Sequence, residues 1–222
     1  MIFLVSKSTP WSKKLHDAIS GDIDCKWFKD DSYKEGLREL KPDWVFFFHW
    51  SRIVPEDIYK NNRCVVMHTG NLPRGRGGSP LQNQILDGIV ESKVNAIVMG
   101  EELDAGDVYA SLPVTLQGTI YDIWMTISDV SSCLIKKCVK DNPKPTPQTG
   151  KPQVYRRNRD NSLPLVETED LTKIYRFIQM LDDERYPSAY IDVGKFRLTF
   201  SRSKMLEGEI ISDVSIRKID SE

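Results

Sequence analysis

Four short strand-like runs, mostly apolar and each followed by a helix-like segment, constrain this chain more than any other feature. Met1–Val5, Cys25–Phe28, Asp43–Phe48 and Cys64–Met67 read as strands. Trp44–Phe48 is apolar at every position, as a strand covered on both faces should be. Thr9-Pro10 opens the first helix: threonine caps free amides, and proline is tolerated at the first helical position. Ser32–Leu40 is a second, charged helix that stops before Pro42, and Pro55–Lys60 is a third. Strands alternating with helices predict an α/β fold with a parallel, Rossmann-like sheet.

Beyond this block, Ser79-Pro80-Leu81-Gln82 reads as a capping box opening a helix to Gly88. Ala96–Met99 and Val108–Leu112 are further strands. Thr119-Ile120-Tyr121-Asp122 is a second capping box. Its helix carries Ile120, Ile123, Trp124, Ile127, Leu134 and Cys138 at helical spacing, a core stripe. Asn142-Pro143-Lys144-Pro145-Thr146-Pro147 then forces an extended segment. We therefore expect a catalytic domain over 1–150 and a smaller region over 151–222. In the latter, Thr168 caps a helix. Ala189–Val193, Phe196–Ser201 and Glu209–Ile216 form a small antiparallel sheet, turning at Val193-Gly194-Lys195 and Glu207-Gly208.

Composition excludes several classes. With 222 residues, 40% hydrophobic and 28% charged, the chain can build one sizeable core. No apolar run reaches spanning length, so no membrane role is expected. The N-terminal run lacks a basic lead-in and reads as a strand rather than a signal peptide. Cys25, Cys64, Cys133 and Cys138 contain no CxxC pair, which fits reduced thiols in a cytoplasmic protein without a metal site. A formal net charge of −1 shows none of the basic excess of chains that hold nucleic acid through phosphates, so a nucleic-acid partner is not expected.

Two stretches carry chemistry. His68-Thr69-Gly70-Asn71-Leu72-Pro73-Arg74-Gly75-Arg76-Gly77-Gly78-Ser79-Pro80 follows a buried strand and precedes a helix. Ligands of parallel α/β sheets sit at the carboxyl ends of strands. A histidine there suits acid/base work, or else serves as a satisfied structural group. Met99-Gly100-Glu101-Glu102-Leu103-Asp104-Ala105-Gly106-Asp107 is an acidic turn between two strands, read by itself as a solvated hairpin or a weak metal site.

Taken together, His68…Leu72-Pro73-Arg74 and Leu103-Asp104-Ala105-Gly106 resemble the folate-dependent formyltransferase superfamily, which includes methionyl-tRNA, glycinamide-ribonucleotide and nucleotide-sugar formyltransferases. The resemblance covers about residues 1–140 and, more loosely, the tail. It implies a Rossmann-like core and 10-formyltetrahydrofolate as formyl donor, with no metal. It also implies that His68 takes the proton of the attacking amine or stabilises the oxyanion, with Asp104 favouring the protonated ring. The family's asparagine two residues before the histidine is Val66 here. Loss of one oxyanion donor costs roughly two to three decades in rate. Asn71 is the preferred replacement, with His49, Trp50 and Gln82 as lesser candidates.

Phe48-His49-Trp50-Ser51-Arg52-Ile53-Val54 sits where the family places its first pterin loop. Phe48, Trp50, Arg52 and Val54, with Met99, Gly100, Glu101 and Leu103, are thus the expected donor-binding residues. Arg74 and Arg76 suit a pyrophosphate, and Ser79, Gln82 and Asn83 open the adjacent helix. The short tail and slightly acidic balance point to a nucleotide-linked amino sugar as acceptor. The His-x-x-Asn and Gly-Arg-Gly-Gly-Ser-Pro arrangement resembles a sub-branch associated with bacterial surface-polysaccharide biosynthesis, and a homodimer is the family habit. The alternatives are a methionyl-tRNA formyltransferase and a non-catalytic folate- or nucleotide-binding homologue.

Overall fold

The computed structural model describes residues 1–157, 159–165 and 168–219. Its first elements are β1 (Ile2–Ser6), α1 (Pro10–Ser20), β2 (Cys25–Phe28), α2 (Tyr33–Leu40), β3 (Trp44–Phe48), α3 (Glu56–Asn61) and β4 (Cys64–Thr69). Then come β5 (Arg74–Gly77), α4 (Pro80–Leu86), β6 (Glu91–Val98), β7 (Val108–Thr115), α5 (Ile120–Asp141) and β8 (Gln153–Tyr155). The tail adds α6 (Leu171–Gln179), β9 (Tyr190–Val193), β10 (Phe196–Leu206) and β11 (Glu209–Lys218).

The main sheet runs β2-β1-β3-β4-β6-β7. β1 to β4 are parallel, as the alternation of strand and helix requires. β6 and β7 are antiparallel additions. A parallel return needs a crossover of a dozen or more residues, and the turn from Met99 to Asp107 closes a hairpin instead.

One face of this sheet carries Phe3, Val5, Phe28, Val45, Phe47 and Cys64, covered by Tyr33 and Leu37 of α2. The other carries Leu4, Phe46 and Phe48, all buried. Buried Trp11 of α1 stacks on Trp124 of α5 at 5.4 Å, and the Ser128 hydroxyl donates to the Trp11 carbonyl at 2.8 Å.

Helix starts show where local signals hold. The Thr9 hydroxyl accepts from the Ser12 amide, and Thr119 and Asp122 form the reciprocal capping box. Ser79 does not cap α4. Its backbone is left-handed (φ 50), and no side-chain cap bond forms. Thr168 does not cap α6 either. Asp170 does, accepting from the Thr172 amide at 2.8 Å, while the Thr168 hydroxyl accepts from Asp170 one turn earlier.

The chain divides into two compact units. One holds Met1–Gly77, Glu91–Thr115 and Trp124–Val154; the other holds Gly78–Val90, Leu116–Ile123 and the described residues from Tyr155 onward. The second contains the sheet β11-β10-β9, whose tight turns use Gly194 and Gly208 at positive φ. Phe177, Ile178, Met180, Leu181 and Ala189 are among its buried residues.

Candidate functional site

β4 delivers His68 to the carboxyl end of the parallel strands. Side chains alternate along a strand, so Cys64, Val66 and His68 share the face that carries Phe47. The His68 side chain is 4% exposed and that of Asp104 is 8% exposed, with Nδ1 3.4 Å from Asp104 Oδ1. Nε2 lies 2.9 Å from the Gly75 carbonyl oxygen. Both neighbours are acceptors, so the neutral ring donates to one of them and keeps a lone pair on its other nitrogen. Gly70 lets the loop fold this closely, since a Cβ there would lie 3.1 Å from His68 Nε2 and 3.2 Å from the Arg74 carbonyl oxygen.

Asp104 sits in the β6–β7 turn with left-handed backbone (φ 55). Two residues on, a Cβ at Gly106 would fall 1.9 Å from the Val98 carbonyl oxygen, so the turn closes only with glycine there. Asp104 Oδ2 accepts the Gly77 amide at 3.0 Å. Burial pushes the Asp104 carboxyl up, but His68, the Gly77 amide and Arg76 outweigh it and hold it below its ordinary value. The structure thus brings together a histidine and an ionised carboxylate from opposite ends of a strand pair.

Around this pair the other expected residues divide. Asn71 is exposed, and its amide donates to the Glu91 carbonyl at 3.4 Å; no hydrogen bond joins it to His68 or Asp104. Trp50, Val54 and Met99 pack against the cluster on the His68 face. Phe48 is buried and in register with Met67, which places it on the opposite face. Arg52 pairs with Asp31 at 2.7 Å and lies over the Trp50 ring. Gly100, Glu101 and Leu103 are exposed in the turn, Leu103 to 67%.

Arg74 is exposed, whereas Arg76 is not a free cation. Its Nε and Nη2 donate to Gln148 Oε1 at 3.0 and 2.8 Å, and Nη1 lies 3.4 Å from Glu102. Ser79 and Gln82 line a cavity of about 270 Å³ with Arg157, Arg159 and Tyr186. Asn83 turns its amide to the carbonyls of Gly78, Ser79 and Arg156.

Two residues escaped the sequence reading. Asn95 of β6 is 2% exposed and opposite His68 in register; its amide donates to the carbonyls of Gly70 at 2.7 Å and His68 at 3.3 Å. A lone amide inside Val94–Val98 was its signal. Gln148 donates to the carbonyls of Asp104 and Gly106, both at 2.9 Å, and no sequence pattern marks it. Tyr33 Oη and Trp50 Nε1 are buried polar atoms without a hydrogen-bond partner. No cluster of three or more His, Cys, Asp or Glu suited to a metal occurs among the described residues, and no helix there is long and apolar enough to cross a membrane.

Comparison with known proteins bears on both parts of the chain. The family model described as formyl transferase matches residues 18–130. The one described as methionyl-tRNA formyltransferase, C-terminal domain, matches 159–217. A methionyl-tRNA formyltransferase of Campylobacter curvus is 27% identical over 198 residues, 84% of this chain and 65% of that protein, so the chain spans just under two thirds of its length. The solved methionyl-tRNA formyltransferase from Clostridium thermocellum is 34% identical, with a TM-score of 0.91 over 98% of this chain and 99% of that one. A formyltransferase from Anoxybacillus kamchatkensis, solved with a formylated UDP-sugar and tetrahydrofolate, is 18% identical with a TM-score of 0.59, covering 81% of this chain and 98% of that one. That likeness shows the fold alone.

These findings overturn the expected amino-sugar acceptor and the expected absence of a nucleic-acid partner. The tail length does not discriminate, because the Clostridium thermocellum protein has a chain of matching extent. Nor does net charge, which averages local basic stretches such as Arg156, Arg157 and Arg159 against acidic ones elsewhere. With the His68–Asp104 pair, the parallel core and a matched family model over half its length, the chain belongs to the formyl transferase family.

Proposed function

We propose that the chain moves a formyl group from 10-formyltetrahydrofolate to the α-amine of methionyl-tRNA. The observation that carries this reading is the 34% identity and end-to-end fold match to the Clostridium thermocellum methionyl-tRNA formyltransferase. The separate match of residues 159–217 to the methionyl-tRNA formyltransferase C-terminal domain supports it from the other end of the chain.

The residues present fit the folate donor. Tyr33 Oη and Trp50 Nε1 are buried polar groups that lack partners, within and against the cluster on the His68 face. Trp50, Val54 and Met99 supply an apolar wall for a flat ring. The donor contributes an activated formyl carbon. The protein's part is protonic and electrostatic. His68 receives the proton that the amine loses as it bonds to the formyl carbon, and faces the developing negative charge while protonated. It returns the proton to the folate nitrogen as the bond from that nitrogen to the formyl carbon breaks. Asp104 stabilises that imidazolium from the Nδ1 side. Val66 presents no donor on this face, so the site has one fewer polar contact than the family pattern implies.

The test is direct formylation. The protein is incubated with 10-formyltetrahydrofolate and methionyl-tRNA, and the esterified amino acid is released and identified by mass spectrometry. Formylmethionine is the expected product. Unmodified methionine, with the formyl donor intact, would refute the reading.

A further inference from the structure

We infer that Gln148 is a positioning residue of the formyl-transfer site, clasping the Asp104 turn to the glycine-rich loop. The inference deepens the proposed function and rests on it for the reaction, though not for the geometry.

The clasp begins with chain stiffness. Pro143, Pro145 and Pro147 keep the segment after α5 extended. Thr146 pairs with Val108 through both backbone bonds, at 2.8 and 2.9 Å, and so fastens the segment beside the start of β7. Two residues on, Gln148 meets the site. Its two amide hydrogens serve the carbonyls of Asp104 and Gly106, and its oxygen accepts two bonds from Arg76. One side chain thereby joins three stretches distant in sequence. It holds the residue whose backbone is left-handed and the glycine whose Cβ has no room. A strained backbone persists where its surroundings over-determine it, and Gln148 supplies two of the bonds that do so.

The chemical consequence follows from the partners of Asp104. Its side chain reaches His68 and the Gly77 amide, and Gly77 follows Arg76 directly. Fixing Arg76 and the Asp104 main chain to one amide therefore sets the carboxylate–imidazole separation. The charged groups about His68 are Asp104 from the β6–β7 turn and, behind it, Arg76 from β5 with Glu102. Asn95 of β6, held by the Ser111 hydroxyl of β7 at 2.6 Å, contributes hydrogen bonds without charge.

Gln148→Ala removes both bonding directions. Gln148→Glu keeps the acceptor for Arg76 but loses the donors and turns a carboxylate toward two carbonyls. The first readout needs no acceptor. The Asp104 carboxyl can be assigned with the Asp104→Asn variant and its titration followed by carbon-13 NMR. In both variants the Asp104 midpoint should rise, because Arg76 and the Gly77 amide are no longer held against it. The second readout is kinetic: kcat for formyl transfer should drop on the order of ten- to a hundredfold, with KM for the folate donor unchanged. A structural role alone would lower Tm and leave the midpoint in place. An unmoved midpoint with unchanged kcat in the folded Gln148→Glu protein overturns the inference. A shifted midpoint in a protein that formylates nothing would leave the clasp standing and remove the proposed reaction instead.

Discussion

Two ion pairs in this molecule show what burial does to a contact. In the C-terminal sheet, Arg197 grips Asp192 with two bonds of 2.7 Å, better geometry than any contact of His68 with Asp104. Yet the Arg197 and Asp192 side chains are 27% and 39% exposed, where water and salt screen the charges. The His68–Asp104 pair is longer, at 3.4 Å, but its side chains are 4% and 8% exposed, and neither group can exchange its partner for water. The shorter pair decorates a surface; the longer one holds a carboxylate and an imidazole together inside the protein.

The sharpest way to break this contrast is Gly106→Ala. The new Cβ would meet the Val98 carbonyl, so the β6–β7 turn must open and carry Asp104 away. Formyl transfer should fall by roughly a thousandfold, as expected when a catalytic group is displaced. Steady-state kinetics beside a circular-dichroism check of the fold would decide it.

Next comes Asp104→Asn, which keeps the size and an acceptor for Gly77 but removes the charge. The rate should drop on the order of a hundredfold, with the pH–rate profile moving as His68 loses its counter-charge. An unaltered profile would detach Asp104 from the chemistry.

The same carboxylate gives a stability test. Its value is depressed in the folded state, so its contribution is complete above the ordinary carboxylate range. It is lost as pH falls through the folded value. Urea unfolding of the wild type should therefore weaken through the acid range, and Asp104→Asn should flatten that limb. Parallel acid limbs would contradict the sign.

Smaller effects are expected at two further positions. Val66→Asn places an amide donor two residues before His68 on the same face and should raise the rate several-fold; a fall would show that the site tolerates no polar group there. Arg197→Ala should leave both turnover and Tm nearly unchanged. A marked loss of either would mean that the exposed pair matters as much as the buried one.

Much of this was legible in the sequence, for identifiable reasons. Trp44–Phe48 and its neighbours announce a parallel sheet because their apolar runs fit nothing else. His68 and Asp104 stood out through the glycines and the Leu-Pro-Arg and Leu-Asp-Ala-Gly patterns around them, and the structure brings the two side chains together. What the sequence hid were partners. Arg76 looks like a phosphate ligand until Gln148 is seen across the fold, and Gln148 itself bonds mostly to carbonyls, which carry no sequence signature. Ser79 reads as a helix cap, yet its left-handed backbone removes that role. The acceptor was misread because chain-average charge and tail length are blunt measures of a local surface.

The most direct test of the central claim is single-turnover formylation of methionyl-tRNA by the wild type and by His68→Ala, with 10-formyltetrahydrofolate in excess. The account expects formylmethionyl-tRNA from the wild type and a rate lower by about two to four decades in the variant, with tRNA binding retained. Equal rates in the two proteins, or transfer from the wild type to a different amine with none to methionyl-tRNA, would contradict it.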